Sequence, residues 1–379
     1  MVWQGGADFL EIKASQASLI LPKPVKMSGG SVSPFSAMEA PVNYPPIKRC
    51  VTPEDRVAII IDSSFLGNRD VVEAVLNQLV AGGVVVAQVS LVINLDAAVV
   101  AEEYQIAFPG VVLERHDSNI PEKSSYLATL RSGRRVYMSR ALVEADTLIM
   151  ICTPGQGSQG KGGHSYIGML PGLITLRGGE SAPDSEELAE IANWLPAPYM
   201  VLGIDGPGGI IQWWAGATDA DFLAKKAFRH IWRSRAKQES DLVVIGIGSN
   251  ASKSDFRAWC RAVRKATRLV KEGGQLVLLA GNAPDVRPWH AWLEQAVGPG
   301  DLLEMVSDMP RRIRFVREWA IAGGHCHLRL LSNLDEETVS SLFAEAISLD
   351  ELKRMLDKAE SVAAVGDISL AMVGNPKDF

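Results

Sequence analysis

Cysteine is scarce. The 379 residues hold four, Cys50, Cys152, Cys260 and Cys326, far apart and with no C-x-x-C spacing. That pattern excludes a zinc knuckle, a thioredoxin-type pair and a dense disulfide framework, and it fits a reducing cytoplasm. A surplus of positive charge is missing as well. Lys and Arg number 38 against 44 Asp and Glu, a net charge of −6, and the pI is 5.6. This argues against broad nucleic-acid binding. No apolar run is long enough for a membrane span. The most apolar region, residues 79–95, is interrupted by Gly82, Gly83, Gln88, Ser90 and Asn94. The opening MVWQGGADFLEIKAS has acidic residues where a secretory signal needs an apolar core, so a cytoplasmic location is expected. No repeat recurs at a fixed period.

Apolar residues make up 47% of the chain and charged residues 22%, an ordinary globular balance, and the length predicts two or three domains. The Pro- and Ser-rich residues 1–50 hold two candidate edge strands, 9–14 and 17–21. A clear α/β unit follows. Val57-Ala58-Ile59-Ile60-Ile61 is a continuous apolar run suited to a central parallel strand. The loop 62–69 leads to Asp70, a candidate N-cap, and then to apolar residues at helical spacing, stopped by Gly82-Gly83. Residues 84–92 read as the next strand, 97–104 as a helix, 111–116 as a strand, and 125–130 with 135–139 as a hairpin. Residues 183–194 predict a helix with Pro183 in its first turn. Residues 199–204 and 210–214 form another hairpin, and 219–235 a helix with a basic end. A second module begins near Ser240: strand 242–247, helix 254–270, a stop at Gly273-Gly274, and strand 275–280. Residues 325–331, 337–346 and 349–359 are later elements, and 362–373 reads as a short strand pair.

The stretch from Ala145 to Thr175 draws most attention. Its apolar run Thr147–Cys152 breaks into a Gly-rich loop, 153–163, which ends at His164. Buried strands deliver loops of this kind to ligand sites at the carboxyl edge of open sheets. The loops 62–69 and 248–253 share that expected position. Gly155, Gly157 and Gly160 fit a dinucleotide-type glycine spacing, but Gly162 stands where a phosphate loop needs Ser or Thr. Lys161 can act as a point charge for an anion, and His164 can move a proton near neutral pH. Arg257, Arg261 and Arg264 share one face of the 254–270 helix and can meet a carboxylate or phosphate, or stand in solvent. His325-Cys326-His327 offers two histidines on one strand face with no third ligand, which favours a structural role over a metal.

With these residues in view, the chain from about Pro45 to Val373 resembles the nickel-dependent lactate racemase family. The resemblance rests on Pro45-Pro46-Ile47 leading into residues 52–62, on Glu144-Ala145-Asp146 with Gly162-Gly163 and Leu170-Pro171-Gly172, on Trp214-Ala215-Gly216, and on residues 242–280. It implies inversion of a small 2-hydroxy acid by a nickel pincer cofactor, derived from nicotinic acid and tethered to a lysine, which takes and returns a hydride. It also implies histidine bases and an Asp-x-Thr-Arg-Pro motif after the first strand. This chain departs at those positions. The motif corresponds to Ser63-Ser64-Phe65-Leu66-Gly67, the tethering lysine to Ile167, and the two histidines to the neighbourhoods of Gly157 and Asn94. The family's Tyr and Lys on the second-domain helix fall near Arg257 and Arg261.

The expected fold is α/β, two domains each around a mainly parallel sheet flanked by helices, with a cleft between them. The N-terminal domain is expected at 1–237 and the C-terminal domain at 238–360, with 361–379 returning to the first. Lys161, His164 and Arg261 are the candidate catalytic residues. Ser63, Ser64, Gly162 and Gly163 are the candidate cofactor-binding residues, and Arg257 the candidate substrate-binding residue; no protein metal ligand is named. The expected ligand is a small carboxylate or hydroxy acid, with no nucleic acid and no membrane, and a homo-oligomer or partner chain is compatible. A racemase or epimerase, a catalytically silent binding or partner subunit, and a nucleotide-binding enzyme are the readings open at this point.

Overall fold

In the computed structural model, the described residues are 2–5, 8–11, 18–20, 30–62, 65, 68–94, 98–116, 124–154, 164–176, 183–206, 209–235, 238–247, 256–281, 284, 286, 289, 292–306, 315–366, 368 and 372–374. The chain divides into two compact units, 25–228 and 1–24 with 229–379. The expected boundary near 237 is thus moved to 228. The expectation that 1–24 joins the first domain and 361–379 returns to it is corrected by strand pairing. Ser18–Ile20 lies parallel to Val362–Val365, which lies parallel to Ser240–Gly246, all within the second unit.

Unit 25–228 is built on a six-stranded sheet. Its order is Gly209–Gly216, Tyr199–Gly206, Thr147–Cys152, Val57–Ile61, Val89–Asn94, Val112–His116. All neighbours run parallel except the first two, which form an antiparallel hairpin. Val57–Ile61 is buried along its whole length, which is why its sequence does not alternate. From this strand the chain moves outward through Arg69–Ala81 to Val89–Asn94, and through Ala98–Ala107 to Val112–His116. It then returns to the opposite side of Val57–Ile61 with Thr147–Cys152. The strand order therefore reverses between Val57–Ile61 and Thr147–Cys152. Open α/β sheets bind ligands outside the carboxyl ends of the strands at such a switch point.

A smaller antiparallel sheet of this unit joins Ile174–Thr175, Arg135–Ser139 and Ser124–Thr129. Several helix and strand ends differ from the sequence expectation. Asn68, not Asp70, stands at the N-cap position of Arg69–Ala81, without a side-chain capping bond, and Asp70 lies in the first turn, where the helix dipole favours it. Gly82 closes the helix and Gly83 takes φ +94°, a conformation glycine accepts freely. Pro183 precedes the helix Ser185–Trp194, whose cap is Asp184 in a capping box with Glu187. Strand Val89–Asn94 starts later than read, because Val86–Gln88 forms a 3-10 turn.

The core of this unit fills the space between sheet and helices with Ile59, Ile149, Val201, Val72 and Leu79, all fully buried. Phe65, 1% exposed, wedges into it from the loop after Val57–Ile61, packing on Trp213 at 5.6 Å between ring centres. Gly203 makes room for it. A Cβ there would stand 2.7 Å from Phe65 Cε1 and 3.0 Å from Trp213 Cζ3. The Gly203→Ala variant is expected to lose about 1–3 kcal/mol by overpacking, read as a lower urea midpoint with an unchanged slope.

Unit 1–24 with 229–379 contains a second six-stranded sheet, wholly parallel, in the order Glu345–Ala346, His327–Leu331, Val270–Leu279, Ser240–Gly246, Val362–Val365, Ser18–Ile20. Here three expectations are corrected. Gly273-Gly274 do not stop a helix; the helix Phe256–Ala266 ends earlier, and both glycines lie inside Val270–Leu279, where the pairing with Ser240–Gly246 shifts register. Residues 233–235, read as helix, are a strand following Thr218–Trp232. The expected pair within 362–373 does not form, because Met372–Gly374 pairs with Arg233–Arg235 instead. Among the described residues no helix is long and apolar enough to cross a membrane.

Candidate functional site

The switch point of the 25–228 sheet is closed by backbone bonding: Asp62 N–H donates to the Ile151 carbonyl at 2.9 Å. Beyond it, Thr147–Cys152 ends in Cys152 and Thr153, both buried. Burial, first, and the nearby charges of Asp62 and Asp221 push the Cys152 thiol well above its ordinary range, so it is an unreactive thiol at neutral pH. His164 stands immediately before the 3-10 turn Ser165–Leu173.

Asp221 organises this region. It stands in the first turn of Thr218–Trp232, and its side chain is 2% exposed. Four contacts meet its carboxylate. Ser165 N–H donates to Oδ2 at 3.2 Å, and the Ser165 hydroxyl donates to Oδ1. Lys225, one turn along the helix, donates to Oδ2 at 2.7 Å. His164 Nδ1 lies 3.3 Å from Oδ2. The His164 ring stacks on Tyr166, with ring centres 5.6 Å apart and planes at 16°. Burial and then the Asp221 charge raise the Tyr166 phenol above its usual value, so Tyr166 stays a neutral donor at physiological pH. His164 keeps 37% of its side chain exposed. A half-exposed imidazole held at one nitrogen by a buried carboxylate is equipped for proton transfer at the other.

Of the residues singled out from sequence, His164 joins this cluster. Lys161, Ser63, Ser64, Gly162 and Gly163 lie outside the described residues, as do the glycines of the dinucleotide-type spacing and the loop 248–253. Arg257 and Arg261 stand on Phe256–Ala266 in the other unit. Arg257 is half-buried with its guanidinium over the Phe315 ring, 4.9 Å from the centre. Arg261 is exposed, and Arg264 pairs with Glu318 at 3.2 Å. The two-histidine strand face is corrected: His325 closes the helix Val316–His325 and its Nε2 bonds the Val270 carbonyl at 3.0 Å, while His327 opens the next strand. Among the described residues no group of three or more His, Cys, Asp or Glu side chains is placed to hold a metal ion.

Asp221 and Lys225 escaped the sequence reading. In the sequence, Asp219 and Asp221 are two acids at a helix start, and both satisfy the dipole. Only burial separates them. Asp219 is exposed and takes a bond from Asn43. The i,i+4 spacing of Asp221 and Lys225 was a signal for an ion pair, though not for its burial. His116, fully buried, was also passed over; it stands directly beside Asn94 in the parallel register.

A pincer cofactor tethered at the corresponding position does not fit these residues. Ile167 occupies it, half-buried in the Ser165–Leu173 turn with its N–H on the His164 carbonyl at 3.1 Å. An aliphatic side chain offers no amine to form the tether.

Comparison with known proteins follows the same outline. Residues 9–154 match the family model of the lactate racemase N-terminal domain; the match ends where the Gly-rich loop begins. No curated protein sequence matches the chain. Among solved structures, the chain is similar to the lactate racemase apoprotein from Thermoanaerobacterium thermosaccharolyticum, with 14% identity and a TM-score of 0.74 over 98% of this chain and 99% of that one. It is also similar to a structural-genomics protein from Thermotoga maritima, with 11% identity and a TM-score of 0.57 over 86% of this chain and 96% of that one. Identities this low carry the fold alone. Residues 9–154 are thus similar to a lactate racemase N-terminal domain, and the chain as a whole has a lactate racemase-like fold.

Proposed function

We propose that this chain binds a small 2-hydroxy acid, or a related carboxylate, at the carboxyl edge of the 25–228 sheet, and that His164 handles the ligand's hydroxyl proton. The observation that carries this reading is the Asp221-anchored His164, reached from the strand that borders the switch point. Its exposed imidazole can accept the hydroxyl proton of a bound ligand. Lys161, three residues before it in the sequence, is assigned to the ligand carboxylate. No step is assigned to a nickel pincer, because position 167 has no amine. That same substitution favours a second reading, a family member that binds its ligand without turning it over.

Thermal unfolding with lactate, malate and a sugar acid tests the proposal. A ligand at ten times its Kd stabilises by about 1.4 kcal/mol, a shift of a few degrees for a protein of this size. The midpoint is expected to rise with at least one of these acids and to stay unmoved in the His164→Gln variant. Unmoved midpoints with all three acids would remove the proposal. Chiral chromatography of D- and L-lactate after incubation separates turnover from silent binding.

A further inference from the structure

We infer that Asp221 is the positioning residue of this site: it fixes which nitrogen of His164 carries the proton and clamps the end of the Gly-rich loop. The inference rests on the reading of His164 as the proton-handling group and extends it to the side chain that orients that group.

The chemistry follows from the donor inventory. An ionised carboxylate only accepts hydrogen bonds. The nitrogen that faces it, Nδ1 at 3.3 Å, therefore carries the hydrogen in the neutral ring, and Nε2 is left with its lone pair. The clamp is independent of the imidazole. Ser165 commits both its backbone N–H and its hydroxyl to the same carboxylate, so the residue next to His164 is fixed by two bonds to a buried group. Lys225 at 2.7 Å balances the charge, and its own 14% exposure keeps that balance largely out of solvent. Tyr166 fixes the plane of the ring by stacking. Three elements are tied at one carboxylate: the end of the loop, the 3-10 turn and the helix Thr218–Trp232.

The test reads the tautomer on the full chain. Long-range proton–nitrogen correlation spectra of uniformly nitrogen-15-labelled protein separate a protonated ring nitrogen from a bare one. The chain has six histidines, and the signals of His164 are those lost in His164→Gln. At a pH where the ring is neutral, His164 is expected to show a protonated Nδ1 and a bare Nε2. In Asp221→Asn the amide oxygen is expected to serve Lys225 and Ser165 first, because each has a contact to this side chain shorter than the 3.3 Å of His164. The signals are then expected to move toward the Nε2-protonated form. A protonated Nε2 in the unmodified protein, or spectra unchanged by Asp221→Asn, would overturn the inference. If Asp221→Asn does not fold, the unmodified protein alone decides the matter. A merely structural role for Asp221 would leave the tautomer unspecified. The outcomes also separate the two claims. A protonated Nδ1 without stabilisation by any hydroxy acid sinks the proposed function and keeps the role of Asp221. Stabilisation by lactate with a protonated Nε2 does the reverse.

Discussion

Replacing Asp221 by alanine is expected to cost about 3–5 kcal/mol of folding stability at neutral pH, the usual loss when one member of a buried ion pair is removed. The alanine leaves the Lys225 ammonium without its counter-ion in a pocket where it is 14% exposed. It also removes the acceptor used by the Ser165 N–H and hydroxyl, and buried donors left unmatched carry the full desolvation cost. Urea unfolding followed by tryptophan fluorescence gives the number. The partner experiment fixes its meaning. In Asp221→Leu with Lys225→Met, the charges go together and the volume is kept, so much of the loss is expected to return. A loss below about 1 kcal/mol in the alanine variant would mean the carboxylate behaves as a surface group, and would contradict the burial on which the site is built.

Phe65→Ala is expected to have a comparable effect through different physics. The ring is 1% exposed, packs against Trp213, and fills the space above Gly203 that no side chain occupies. Its removal deletes apolar area and opens a cavity whose floor is a glycine, which cannot move in to fill it. Buried Phe→Ala changes cost about 3–5 kcal/mol. Position 65 also carries the loop that leaves the switch point. Its N–H bonds the Asp62 carbonyl at 2.9 Å, and its carbonyl accepts from Asn68 at 2.8 Å. The variant should therefore weaken ligand-induced stabilisation as well as lower the melting temperature. Full stability in Phe65→Ala would show that the ring is not part of the core.

These two residues show where sequence reading works and where it stops. The central strands were legible because burial on both faces leaves a mark: 57–61 and 147–152 are uninterrupted apolar runs. Helix 69–81 was legible through its periodicity and the glycine pair that follows it. Gly273-Gly274 misled because glycine pairs stop helices and also sit at irregular strand pairings, and only the partner strand decides. The place of Ser18–Ile20 in the second sheet is set by a strand more than 300 residues away, Val362–Val365; no local pattern records it. At the site, His164 was legible as a titratable group at the end of a Gly-rich loop. Asp221 was not, because an acid at a helix start has an ordinary explanation in the helix dipole, and burial by a segment 57 residues earlier is a tertiary fact. The family resemblance carried the outline of the fold well. At the position the resemblance implies for the tethering lysine stands Ile167.

The most direct measurement is a calorimetric titration of lactate into the unmodified protein and into His164→Gln, at neutral pH and with both folded. The account predicts saturable binding to the unmodified chain and binding weakened at least about tenfold in the variant, a difference of about 1.4 kcal/mol. Equal affinities in the two proteins, or no binding to either, would contradict it.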